Sequence, residues 1–185
     1  MTVNDIVKDA RVAHVRELKA EIASLKASLA AAQAACAAWE SHFALALAAA
    51  RDAARLPDGG SVLILDGWNI VFNSKFKVPD DPHAGKQRLI DAMRAYAQGR
   101  TAEFVWLVFD GAEENSSAEG ALRISYTGGE GTQRADRLVT DYVRLMRMTG
   151  QKVSVTVVTN DKTFAKGVAA LGAEVRGVKE FTDGI

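Results

Sequence analysis

The pattern of apolar positions changes character near residue 56. From about residue 4 to 55 the chain contains neither Gly nor Pro, and apolar residues recur at Val15, Leu18, Ile22, Leu25, Leu29, Ala32, Cys36, Trp39, Phe43 and Ala46. The steps alternate between three and four, which is a heptad seam on a helix rich in Ala, Leu, Glu, Lys and Arg. Such a stripe is covered either by a second copy or by folding back on itself. Residues 1-56 are therefore expected to form a helical coiled-coil extension, with a homodimer through residues 4-55, parallel by first choice; the small residues after Ala27 also suit antiparallel packing. Pro57, Gly59 and Gly60 then break the helix, and 57-61 reads as a linker.

Beyond the linker, short apolar runs alternate with helical stripes. Val62-Leu63-Ile64-Leu65 is a continuous aliphatic run, as in a strand buried on both faces, and it stops at Asp66-Gly67-Trp68-Asn69. A polar loop follows, then a helix over 83–98 burying Leu89, Ile90, Met93 and Tyr96. Phe104-Val105-Trp106-Leu107-Val108-Phe109 is a second buried strand ending in Asp110. Residues 112–120 read as an acidic loop of small residues. The run 122–126 alternates as a strand nearer the sheet edge. A glycine-rich turn at 127–133 leads to a helix over 134–149. A strand over 153–158, a helix over 162–171 and a short strand or turn over 174–181 complete the series. Strands alternating with helices predict an α/β domain over 62-185, a parallel sheet with helices on both faces.

Composition adds constraints. Hydrophobic residues make up 48% and charged residues 25% of the 185 residues, which suits a folded globular chain rather than a disordered or spanning one. The formal net charge is zero, so attraction to nucleic acid must come from a local basic patch rather than from bulk charge. The single cysteine, Cys36, excludes an intrachain disulfide. The Ala-rich run 27–50 is interrupted by Gln33, Glu40, Ser41 and His42, so no membrane association is expected, and cytoplasmic localisation follows.

Three strands end at an acid: Asp66, Asp110 and Asp161. A fourth, Asp136, lies in the first turn of a helix leaving the same edge of the sheet. In a parallel layer, carboxyl strand ends and amino helix ends share that edge, so the four can converge where such sheets bind ligands. Grouped carboxylates repel unless a cation neutralises them, and an all-oxygen set suits Mg²⁺ or Mn²⁺. A bound ion of that kind activates water and stabilises displacement at a phosphodiester. Plainer readings exist singly: Asp161 as a helix cap, Asp136 as a complement to the helix dipole, Asp110 as a turn residue. Asp66, directly after a buried run, needs a partner in any case.

The motifs Asp66-Gly67-Trp68-Asn69, Val108-Phe109-Asp110-Gly111, Gly129-Glu130-Gly131-Thr132 leading to Ala135-Asp136, and Val158-Thr159-Asn160-Asp161 resemble the YacP-like NYN domains of the PIN-like nuclease superfamily, over about residues 61–181. The resemblance implies a Rossmann-like PIN fold and a metal-dependent endoribonuclease. Asp66, Asp110, Asp136 and Asp161 would be metal ligands, and Asn69 would support them or meet substrate. It also implies RNA rather than DNA as partner, with the ribosome or another translation-associated complex as the setting. Arg137 stands where the family often has a further acid, which motivates the alternative of a catalytically weak or inactive RNA-binding or protein-interaction module assembled through the coiled coil.

Candidate RNA contacts are Trp68 for stacking and Lys75, Lys77, Arg134 and Arg137 for phosphates, with Thr159 a candidate for orienting an attacking water. Gly128-Gly129-Glu130-Gly131 lacks the Lys-Ser/Thr of a phosphate loop, and His14, His42 and His83 share no ligand spacing.

Overall fold

The computed structural model describes residues 3–112, 114–129, 133–150 and 152–185. The chain forms two compact units, Met1–Ser41 and His42–Ile185. A long helix, α1 (Val3–Ala53), supplies the whole described part of the first unit and the opening turns of the second. The second unit then runs β1 (Ser61–Asp66), α2 (Gly67–Asn73), α3 (Pro82–Ala97), β2 (Glu103–Phe109), β3 (Glu114–Glu119), β4 (Leu122–Thr127), α4 (Arg134–Thr149), β5 (Ser154–Val158), α5 (Lys162–Ala170), β6 (Glu174–Arg176) and α6 (Val178–Thr182).

The six strands lie in the order β3-β4-β2-β1-β5-β6. All neighbours are parallel except the β3–β4 pair at one edge. The mostly parallel sheet with helices on both faces is as the sequence pattern predicts. β1 sits centrally, and its residues alternate between the two cores. Val62 and Ile64 face one layer together with Trp106, Leu138, Tyr142 and Phe164, whereas Leu63 and Leu65 face the other with Ile70, Leu89, Met93 and Phe181. Burying each such aliphatic side chain contributes about 2 kcal/mol before chain entropy is set against it.

The domain reaches further back than the expected linker at 57-61. His42, Leu45, Ala46, Ala49, Ala50 and Ala53 of α1 are buried, and the five apolar ones belong to the core that holds Val62 and Trp106. These turns therefore serve the domain's own core instead of continuing a seam. Small alanines let the helix lie close to the sheet. Asp52 also reaches Arg123 on β4 in a largely buried ion pair of 2.6 Å.

Three local expectations differ from what is observed. The loop after Asp66 begins as a helix, α2, because Asp66 caps it. The stretch expected as an acidic loop contains β3, an edge strand that pairs antiparallel with β4 through the two-residue turn Gly120-Ala121, where Gly120 takes the left-handed φ of +61° that a Gly-X hairpin needs. Its polar side chains are held in kind: Ser116 Oγ lies 2.9 Å from Ser125 Oγ, and Arg123 donates to Ser116 at 2.8 Å. The last segment holds both β6 and α6. The glycine-rich motif can be followed only at Gly128, Gly129 and Gln133, since Glu130, Gly131 and Thr132 lie outside the described residues.

No helix among the described residues is long and apolar enough to cross a membrane.

Candidate functional site

Parallel topology brings the carboxyl ends of β1, β2 and β5 and the amino ends of α2, α4 and α5 to one edge, and the four acids stand there. Asp66 ends β1 and caps α2. Its Oδ1 accepts the Asn69 amide at 3.3 Å, and its Oδ2 accepts the Thr159 hydroxyl at 2.9 Å. Gly67 is needed here for space rather than for an unusual φ. A Cβ at this position would come within 2.4 Å of the Phe109 ring, so only glycine lets the turn sit on β2.

Asp110, just past β2, is held from two directions. Its Oδ1 accepts the Ala135 amide at 2.7 Å and the Thr127 hydroxyl at 3.1 Å. The N-cap residue of α4, Gln133, provides no side-chain cap, so a carboxylate from another segment satisfies this amide. Asp161 caps its own helix, α5, accepting the amides of Thr163 at 2.7 Å and Phe164 at 2.9 Å through Oδ1. Asp136, in the first turn of α4, has no side-chain hydrogen bond among the described residues.

Electrostatics shows that these acids feel one another. Burial pushes the Asp66 carboxyl up to about 6; the bonds from Thr159 and Asn69 oppose this, and the charges of Asp110 and Asp161 add to it. Asp136 is also pushed up to about 6, by burial first and then by Asp66, Asp161 and Asp110. The charges acting most on Asp136 are thus all negative. Arg137 does not neutralise the group: it is exposed, and its charge is felt at His42 instead.

As arranged, the carboxylates of Asp66, Asp110 and Asp161 are turned toward their own donors, and that of Asp136 has none among the described residues. Among the described residues, no group of three His, Cys, Asp or Glu side chains is gathered to hold a metal ion. The donor set nonetheless fits one in kind. Oδ2 of Asp110, Oδ2 of Asp161 and both oxygens of Asp136 accept no hydrogen bond among the described residues. Unpaired oxygens under mutual repulsion are the ligands a hard divalent cation takes.

Residues around the acids are tied into the same edge. Asn69 Oδ1 accepts the Asn160 amide at 2.8 Å, and Asn160 Oδ1 accepts the Val178 amide at 3.1 Å, so two carboxamides staple α2, the β5–α5 turn and α6 together. Thr159 is buried, donates to Asp66 and accepts the Asp161 amide at 3.0 Å. With its proton committed to Asp66, it positions two acids rather than orienting a water. The sequence reading missed Thr127 and Asn160 as site residues. Thr127 is one residue before the paired glycines at the end of β4, a signal too common to single out.

The expected RNA contacts divide. The Trp68 indole donates to the Asp110 carbonyl at 2.7 Å and packs against Phe72, Phe109 and His83, with the Phe72 ring stacked at 5.7 Å. The Trp68 ring is therefore part of the wall behind Asp110, and the exposed member of the pair is Phe72. Lys75 donates to the Ile185 carbonyl at 2.6 Å, and Lys77 is exposed. Arg134 lies over Gly129 and donates to the Thr127 carbonyl at 3.4 Å, one residue removed from Asp110.

A family model described as the YacP-like NYN domain matches residues 63–185. Among solved structures, a crystal structure of Rae1 (YacP) from Bacillus subtilis, solved as a point mutant, superposes with a TM-score of 0.51 at 19% identity, covering 67% of this chain and 73% of that one. At that identity the likeness speaks for the fold. No curated protein matches the sequence.

Proposed function

The chain belongs to the YacP-like NYN domain family of PIN-like nucleases, and from that premise we propose that it is a metal-dependent endoribonuclease cleaving phosphodiester bonds in single-stranded RNA. The observation that carries the reading is the gathering of Asp66, Asp110, Asp136 and Asp161 at the carboxyl edge of the sheet, where burial first and neighbouring carboxylates next push Asp66 and Asp136 up to about 6. These four would hold Mg²⁺ or Mn²⁺, which when bound supplies neutralising charge for the scissile phosphate and acidifies a water.

The chain's own residues supply the rest. Thr159 and the Asn69 amide fix the orientation of Asp66, and Thr127 with the Ala135 amide fixes Asp110. The Asn69–Asn160 staple keeps the Asp161 turn against α2. Arg134, beside Thr127, would meet the phosphate entering the site, the exposed Arg137 and Lys77 would serve as further phosphate contacts, and Phe72 with Trp68 would offer aromatic surface to a base.

Incubation of labelled unstructured RNA with the purified chain, with Mn²⁺ and with chelator, tests the reading. Asp110→Asn keeps an oxygen for the Ala135 amide, so the fold should survive while cleavage falls at least about a hundredfold. Undiminished cleavage by that variant would remove Asp110 from the chemistry. A second reading, an RNA-binding module without cleavage, is favoured by the absence among the described residues of a ready-gathered metal cluster and by Arg137 in place of an acid. Calorimetry with Mn²⁺ separates the two: no heat of binding supports the module.

A further inference from the structure

The first unit, Met1–Ser41, contains a single described element, the amino-terminal part of α1, and no other element of that unit covers it. Its large apolar side chains Val15, Leu18, Ile22, Leu25 and Leu29 are between 43% and 63% exposed. They are not scattered. Val15, Ile22 and Leu29 fall seven residues apart at the a positions of a heptad, and Leu18 and Leu25 at the d positions, with Ala32 at the next d and Cys36 at the next a. At 1.5 Å per residue the seam from Val15 to Cys36 runs roughly 33 Å. That length of aligned apolar surface calls for a partner.

We infer that this face is covered by a second copy of the chain in a parallel, in-register, two-stranded coiled coil over about residues 15–36. Two observations choose that occupant. Val15 and Ile22 are β-branched residues at a, with Leu18 and Leu25 at d, and this combination selects two parallel strands over three or four. The flanking charges are the second. Glu21 is at g, and Lys19 and Lys26 are at e. In a parallel pair, each g residue faces the e residue five positions on in the other helix, so Glu21 of each copy meets Lys26 of the other, twice by symmetry. An antiparallel pair sets e against e and g against g, bringing lysine to lysine. The seam is self-complementary only one way round. Each helix then hands its chain to a nuclease-family domain, so the assembled unit carries two.

Three measurements on the full chain test this. Sedimentation should give twice the chain mass, and Leu18→Lys with Leu25→Lys should return it to a monomer whose domain still unfolds cooperatively. Lys26→Glu sets Glu21 against a second acid at two symmetric places and should raise the dimer Kd about tenfold, while Glu21→Lys combined with Lys26→Glu restores the wild-type value. Mild oxidation should join the two copies through Cys36, which is exposed and faces its own counterpart at an a position, and Cys36→Ser should not cross-link. A monomer across the whole concentration range, which would leave the face for a foreign partner, overturns the inference. So does a trimer or tetramer, or a dimer indifferent to Lys26→Glu.

Discussion

Removing the charge of Asp66 should make the protein more stable while ending its chemistry. With chelator present, nothing but protein acts on this carboxyl, whose pKa stands at about 6 against an ordinary 3.8. At 1.36 kcal/mol per unit, that shift corresponds to about 3 kcal/mol of strain in the ionised form. The sign follows from the direction. A folded-state pKa above the unfolded one means the contribution is most favourable below about pH 3.8, is lost as pH rises through about 6, and stays lost at neutral pH. Asp66→Asn removes that cost and keeps the α2 cap, because asparagine caps as well as aspartate. It gives up one of the two accepted bonds, from Asn69 or Thr159, at about 1 kcal/mol. The variant should therefore gain about 1–2 kcal/mol at pH 7.5 and lose about 1 kcal/mol at pH 4. Urea unfolding midpoints at both pH values give the answer. Adding Mn²⁺ should then raise the wild type and leave the variant where it was. If Asp66→Asn is equally destabilised at pH 4 and pH 7.5, the carboxyl is not under electrostatic load and the reasoning fails.

Other substitutions test the supports. Gly67→Ala forces the Phe109 ring aside and should cost about 1–3 kcal/mol by thermal or chemical unfolding, with RNA cleavage falling as Asp66 is displaced. Thr159→Val removes the hydroxyl that holds the Asp66 carboxyl down and orphans the Asp161 amide; NMR titration should find Asp66 raised further, and unfolding should show a loss of about 1–3 kcal/mol. Arg123→Ala strands Asp52 at the sheet edge and should cost about 3 kcal/mol, the lower end for a broken buried pair, because Arg55 also stands 3.5 Å from Asp52.

Much of the domain was legible because it rests on burial. A run such as Val62 to Leu65, apolar at every position, has no stable place except between two helical layers, so the central strand and its neighbours follow from composition. β3 was not legible in that way. Glu114-Asn115-Ser116-Ser117-Ala118-Glu119 carries no apolar period, since an edge strand with exposed faces is specified by its pairing and its turn rather than by a core. The Gly120-Ala121 hairpin was the available sign. The role of the helix beyond His42 was hidden for another reason. A stripe of alanines reads the same whether it meets a second helix or the underside of a sheet, and only the fold shows that Ala46, Ala49 and Ala53 face Val62 and Trp106. The acids were placed on the right edge by topology alone. What topology could not supply was which donor each one answers, because those partners, Thr127, Thr159 and Ala135, come from segments that meet only on folding.

Those donors also change how the plain and the functional readings of each acid relate. As sequence, a cap and a metal ligand are rivals for the same aspartate. In the fold, Asp110 and Asp161 leave a different oxygen for each role. Asp161 satisfies α5 through Oδ1 alone, and Asp110 satisfies α4 through Oδ1 alone, while the other oxygen of each accepts no hydrogen bond among the described residues. The cap fixes the carboxylate plane, and a fixed plane aims the remaining lone pairs without any further side chain to hold them. Helix amino ends offer such anchoring wherever parallel strands stop, so the edge that crowds negative charge is also the edge able to hold it in place. Asp136, anchored by its backbone only, is the member with freedom to move, and its loading by Asp66, Asp161 and Asp110 is what a cation would relieve.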